Sequence, residues 1–412
     1  MVTSKQQQKL YIVFDKLPKK NEGGLVATYI NLVQELRPYY QIEFVGIFDN
    51  GRNDISEFEN IPLHVFSKKD IDNRFFNAFN HLKQRNFRSF FHSLFSGVFF
   101  FGSIPINKIR SKKLLKNQMV IASSPAAAMF LSRTIRYILE IHTTFDYFWG
   151  KNILGRMQSF LLPPATITVF RNKHDALKGE KLFPSTYIYN AFNTADLPRI
   201  DFDKSITHSA LFVGRLAPEK NPLRLLECAQ IVKGAISDFT LDIYGDGPLF
   251  LTLQEKIKQM GLQETVYLKG FVDNKAIYQK YDLLWITSTF EGFGLVVIEA
   301  MANGIPCVST NWGEAVFEII HHEKTGYIAN SNKDFATYSI KLLTNKDKYR
   351  DTAVKALELF QQEFTCRRNT EQWKRLLQKI LRNTQCIKMK MLLEHFRSNN
   401  GYIFQIITIC LF

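Results

Sequence analysis

Two glutamates, Glu291 and Glu299, bracket the glycine-broken apolar run FEGFGLVVIEAMANGIPCVST at residues 290–310. A carboxylate accepts hydrogen bonds through two oxygens and so suits vicinal hydroxyls. The strand-like DLLWIT (282–287) leads into a loop over 288–294, and a helix pattern begins near Leu295. Backbone amides around Phe293, Gly294 and Leu295 open that helix, where first-turn N–H groups lack internal partners and the helix dipole favours an anion. Glu291 stands before the helix and Glu299 about one turn inside it, at roughly 3.6 residues per turn. This spacing suits a long ligand with sugar, diphosphate and ribose in series. The competing reading makes Glu291 a complement to the dipole and Glu299 a surface residue. Val296, Val297, Ile298, Ala300 and Met301 leave no wide polar face around Glu299, so its carboxylate needs a partner.

Two further loops carry residue types that fit the same ligand. In VGRLAPEKNP (213–222) a strand ends at Val213, and Arg215 and Lys220 precede a helix with Pro222 near its first turn. The pair reads either as a clamp for a diphosphate or as a solvated basic loop. In YGDGPL (244–249), Gly245 and Gly247 permit positive φ or close backbone approach to a ligand, or simply a tight strand-to-helix turn.

The elements that must position these loops come in two series. LYIVFD (10–15) reads as a buried strand and GGLVATYINLVQEL (23–36) as a helix; QIEFVGIF, PLHVF, QMVIAS, YILEIH, ATITVF and TYIYN are further strands. The pattern restarts at SALFVGRL and continues through FTLDIYGDG, TVYLKGF, DLLWIT, IPCVST and GYIA. Short apolar strands alternating with helices predict an α/β fold of two tandem, doubly wound parallel sheets. The boundary falls in NAFNTADLPRIDFDKS, residues 190–205, which is polar and poorly periodic. This divides the chain into 1–195, 205–365 and a C-terminal helix and apolar tail, 366–412. Ligands of such sheets bind outside the carboxyl ends of the strands, so a cleft between the two domains is the expected site.

Composition narrows the partners. The 412 residues carry a formal charge of +15, which points to an anionic partner. No nucleic-acid-binding motif accompanies that charge. The five cysteines show no metal-ligand spacing, and a reducing cytoplasm is expected. The Asp-x-Asp at Asp201 to Asp203 lies in the linker, and no metal is expected. The N-terminus lacks a signal pattern, and no apolar run reaches the ~18 residues needed to span a bilayer. Residues 74–101 are rich in Phe interleaved with Arg, Lys and His. They read either as an amphipathic core helix pair or as a basic amphipathic surface lying on an anionic membrane. The apolar tail 402–412 reads as an interfacial anchor, a strand or an appendage.

Taken together, R-x4-K (Arg215, Lys220), G-D-G-P (245–248) and E-G-F-G-L-x3-E-A-M-A-x-G-x-P-C-V (291–308) resemble the retaining glycosyltransferases of the GT-B fold, family 4. NEGGLVATYINL (21–32) is similar to the family's N-terminal glycine loop and EIHTTFDYF (140–148) to its His-bearing loop. YNAFN (189–193) departs from the family's Asn-Gly-hydrophobic-Asp turn at Ala191 and Asn193. The resemblance implies transfer of a sugar from a nucleotide sugar, most commonly uridine-linked, to a saccharide or lipid-linked saccharide acceptor in surface-polysaccharide synthesis at the cytoplasmic membrane face. It implies that Arg215 and Lys220 neutralise the leaving diphosphate, Glu291 contacts the donor sugar and Glu299 the ribose. It implies that Gly23 and Gly24 let the N-terminal loop approach the diphosphate, that His142 lines the reacting face, and that no metal cofactor or side-chain nucleophile is required. The alternative is a non-catalytic GT-B subunit that binds glycans, against which the intact set of four charged residues argues.

Overall fold

The computed structural model describes residues 7–19, 24–49, 55–68, 87–150, 159–195, 197–272 and 275–399. In the N-terminal domain β1 (Gln8–Phe14), β2 (Tyr40–Phe48), β3 (Leu63–Ser67), β4 (Met119–Ala122), β5 (Ile138–Ile141), β6 (Ile167–Phe170) and β7 (Ser185–Tyr187) form one parallel sheet, ordered β3-β2-β1-β4-β5-β6-β7. Its helices are α1 (Gly24–Leu36), α2 (Phe87–Gly102), α3 (Ile104–Leu115), α4 (Pro125–Ala128), α5 (Phe145–Trp149) and α6 (Lys173–Glu180). The continuous apolar runs of β1, β2 and β4 are buried because both sheet faces are covered.

The second domain repeats the plan with β8 (Ser209–Val213), β9 (Thr240–Tyr244), β10 (Val266–Gly270), β11 (Leu283–Ile286), β12 (Cys307–Thr310) and β13 (Gly326–Ala329), ordered β10-β9-β8-β11-β12-β13. Its helices are α7 (Leu223–Ala235), α8 (Phe250–Gln259), α9 (Leu295–Ala302), α10 (Val316–Ile319), α11 (Asn332–Thr344) and α12 (Lys346–Glu363). The two parallel sheets are those expected from the alternating pattern. In each, the strand order reverses once, between β1 and β4 and between β8 and β11, and the loops that carry the candidate residues leave these strands or their neighbours.

The last helix, α13 (Cys366–Asn399), is not a separate unit. Trp373, Leu376 and Leu377 join Leu10, Ile12 and Tyr29 in the N-terminal core, and Thr370 donates to Glu35 at 2.9 Å. The chain thus crosses back after the second domain. Gly23, the tail 402–412 and residues 74–86 of the Phe-rich segment lie outside the described residues. Among the described residues no helix is long and apolar enough to cross a membrane.

Candidate active site

The glycine loop after β11 is pinned from below and anchored by its aromatic residue. Thr287 donates to the carbonyls of Lys220 and Asn221 at 3.1 and 3.0 Å, and the Thr289 amide donates to the Glu219 carbonyl at 2.9 Å. This ties the loop that follows β8 to the loop that follows β11. The Phe293 ring is buried against Tyr189 and Phe364, with centroids 5.9 Å away in each case. Gly294, at φ 88°, turns the backbone into α9, a conformation that β-carbon sterics disfavour. As a result the amides of residues 292–296 donate to no protein acceptor among the described residues. The free first turn expected at Leu295 is therefore present.

The charged residues divide. Lys220 Nζ lies 2.6 Å from Glu291 Oε1, and Ser288 Oγ donates to the same oxygen at 2.6 Å. The Arg215 residue is exposed, and its side chain makes no ion pair or hydrogen bond among the described residues. It is the cation at hand for an incoming anion, whereas Lys220 would be shared with Glu291. The carboxylate of Glu299 is buried at 5% exposure, and Tyr278 Oη donates to its Oε2 at 2.6 Å. That is the partner its apolar helix demanded. Burial, then the nearby Glu299 charge, raises the Tyr278 phenol well above its ordinary value, so it stays a donor.

The glycines have different tasks. A β-carbon on Gly245 or Gly247 would stand 1.9 Å from the Gly214 carbonyl oxygen or 2.6 Å from that of Leu216. Their close approach is to the chain's own β8 loop, which the Leu216 amide bond to the Asp246 carbonyl (2.9 Å) holds in place. Gly24 faces Leu295 across the domains, its β-carbon position 2.4 Å from Leu295 Cδ1.

His142 sits in a network that sequence reasoning did not reach. Its Nε2 lies 3.2 Å from Tyr29 Oη and 3.5 Å from Arg171 Nη2. Glu140, fully buried in β5, accepts from both Tyr29 and Arg171. Burial alone would push Glu140 up; the Arg171 charge, the nearby His142 and the Tyr29 hydrogen bond outweigh it and bring it down to about 2. Burial and Arg171 depress His142, which favours its neutral ring. A charged residue inside the otherwise apolar YILEIH was the legible signal; its partners came from α1 and the end of β6.

The two domains meet at this point. A β-carbon on Gly292 would lie 2.3 Å from the His142 carbonyl oxygen, and Asn172 Nδ2 approaches the Gly292 carbonyl at 3.5 Å. Glu318, in α10, accepts from the amides of Lys173 and His174 at the start of α6, both at 2.7 Å, and from Tyr189 Oη at 3.0 Å. The structure therefore brings His142, Gly24, Glu291, Phe293, Gly294 and Leu295 to one interdomain seam. The Asp201 carboxylate accepts from the Asp203 amide at 2.9 Å, and Asp203 pairs with Arg350. Among the described residues no group of three or more His, Cys, Asp or Glu is placed to hold a metal ion.

Two parallel α/β domains that face each other across a polar seam define a GT-B fold. The fold matches Anabaena Alr3699/HepE in complex with UDP and glucose, with a TM-score of 0.67 at 17% identity over 90% of this chain and all of that one. Residues 204–358 match the sequence model of the family Glycosyl transferases group 1. The carboxyl-terminal domain belongs to that family, and the chain is a glycosyltransferase. It is 25% identical to N-acetyl-alpha-D-glucosaminyl L-malate synthase of Bacillus anthracis over 272 residues, 62% of this chain and 71% of that one. It is 34% identical to poly(glycerol-phosphate) alpha-glucosyltransferase of Bacillus subtilis (strain 168) over 122 residues, 29% of this chain and only 18% of that protein.

Proposed function

We propose that the chain is a retaining, family 4 glycosyltransferase that moves a sugar from a UDP-linked donor to a saccharide or lipid-linked saccharide in cell-surface glycan synthesis. The observation that supports this reading is the loop that holds the Lys220–Glu291 pair and the unbonded 292–296 amides, which meets the His142 backbone at Gly292. The diphosphate is assigned to Arg215, Lys220 and the start of α9; the ribose hydroxyls to Glu299; the sugar hydroxyls to Glu291, which would release Lys220 as it takes them. Breaking the anomeric C–O bond leaves its electron pair on the diphosphate, and fixed cations and amides stabilise that charge. The acceptor hydroxyl oxygen bonds the anomeric carbon on the same face, and its proton passes to the departing phosphate oxygen. The names of both relatives specify an α-glycosyl product, which supports retention for an α-linked donor. A cytoplasmic location is part of the same proposal.

Lys220→Ala and Glu291→Ala should each abolish transfer while circular dichroism stays unchanged. Full activity in both variants would remove the assigned site. Turnover of a nucleotide-sugar panel, read as free nucleoside diphosphate, identifies the donor.

A further inference from the structure

Helices α2 and α3 each bury one side against the N-terminal core. Phe100 packs on Phe48 and Phe130, and Ile104, Asn107, Ser111 and Leu115 are buried beneath α3. The outer side is apolar and exposed: Phe95 at 72%, Val98 at 66%, Ile106 at 56% and Ile109 at 72%. At about 100° per residue, Phe95 and Val98 share one side of α2, and Ile106, Ile109 and Lys113 share one side of α3, with Lys116 just past its end. Folding leaves this surface in water at a cost, so a partner that buries it is expected.

The charge around it says which partner. Between Asp72 and Glu140 the chain has no Asp or Glu. The same stretch carries Lys108, Lys112, Lys113, Lys116 and Arg133, none of which forms an ion pair among the described residues. Ser132 donates its amide to Ser111 at 3.1 Å, which sets Arg133 beside α3. Burial and the Arg133 charge lower the Lys108 ammonium, as expected where cations crowd with no acid to relieve them. A second copy of this surface would bring like charges together, which disfavours self-association. No nucleic-acid-binding motif accompanies these basic residues. Apolar side chains rimmed by lysine and arginine match the boundary between acyl chains and anionic headgroups.

We infer that the α2–α3 pair, through Phe95, Val98, Ile106 and Ile109 with Lys112, Lys113 and Lys116, docks the enzyme on an anionic lipid bilayer. Phe48 is the last residue of β2, and its ring lies 5.6 Å from that of Phe100. The docked face therefore adjoins the carboxyl ends of the strands, where a lipid-linked acceptor would arrive. The inference rests on the proposed lipid-linked acceptor only for its purpose. Vesicle binding needs neither donor nor acceptor, so the two readings fail separately.

The test is flotation of the full chain with phosphatidylcholine vesicles, with and without roughly 30% phosphatidylglycerol. Wild type should partition at least tenfold more onto anionic vesicles and lose that preference near 0.5 M salt, roughly where screening becomes short-ranged. Phe95→Ser with Ile109→Ser, and separately Lys112→Glu with Lys113→Glu, should each cut binding about tenfold with UDP affinity unchanged. Equal binding to neutral and anionic vesicles, or full binding by the charge-reversed variant, overturns the proposal. So does light scattering that shows a wild-type dimer which Phe95→Ser dissolves, or RNA retention without vesicle binding.

Discussion

Replacing Gly292 by alanine tests whether the glycine loop must seat on the His142 loop for catalysis. The new β-carbon would stand 2.3 Å from the His142 carbonyl oxygen and 3.6 Å from Thr143 Cα, whereas ordinary contact begins near 3.4 Å. The shortfall is about 1.1 Å, and the obstacle is backbone that follows β5 directly, so no side chain can rotate away. Relief must come from a shift of the loop, which carries Glu291 and the 293–295 amides with it. A displacement of about 1 Å at a reacting centre costs on the order of 100-fold, or roughly 2.7 kcal/mol of transition-state stabilisation. Two other glycines set the scale. At Gly24 the obstacle is the tip of Leu295, 2.4 Å away, which can change rotamer. Gly24→Ala should therefore cost less than about tenfold. Gly234, in α7, meets nothing within 4 Å, and Gly234→Ala should leave activity intact and add about 0.5–1 kcal/mol of stability. The assay is kcat/KM for nucleotide-sugar turnover, with UDP affinity by calorimetry. A Gly292→Ala enzyme within twofold of wild type in both would refute the seating of these loops in the active form.

Three other perturbations read different parts of the seam. Tyr278→Phe removes the 2.6 Å donor to a buried carboxylate and should destabilise the C-terminal domain by about 1–3 kcal/mol in urea; an unmoved midpoint would count against Glu299 relying on it. Glu318→Ala deletes the acceptor that joins α10 to the start of α6. Loss of these partly exposed bonds, about 1–3 kcal/mol together, should enlarge the radius of gyration in X-ray scattering and weaken UDP binding; identical scattering would contradict the latch. In the histidine network, a His142 held below 6.5 stays neutral while the unfolded chain takes a proton, so stability falls as pH drops below 6.5 toward the folded value. Glu140, held near 2 against 4.5, adds a contribution present above 4.5 and lost as pH falls toward 2. Imidazole NMR that shows His142 titrating above 6.5 would invert the first assignment.

Much of this site was readable along the chain. The free start of α9 at Leu295 follows from glycines ahead of an apolar helix, and the demand of Glu299 for a partner follows from its neighbours. Both are local consequences of backbone and burial. The partner itself, Tyr278, stands 21 residues upstream, on a turn whose position depends on how β11 and α9 pack. The cation pair also resolved only in space: loop 218–220 carries Lys220 onto Glu291 and leaves Arg215 in solvent. Gly245 and Gly247 were legible as positions of close approach, but the surface approached is the Gly214–Leu216 backbone.

The sequence by itself determined two parallel sheets, because a strand buried on both faces must be apolar throughout and a helix between strands must return the chain. It also singled out the loops proposed to carry the chemistry, because glycine, carboxylate and cation spacing is local. Only the tertiary structure decided who faces whom. Glu140 joins Tyr29 and Arg171 around His142, Glu318 caps a helix of the other domain, and α13 returns to the N-terminal core. Those pairings are separated by up to 335 residues, and their register is set by core packing and domain closure, which leave no periodic trace in the residues that meet.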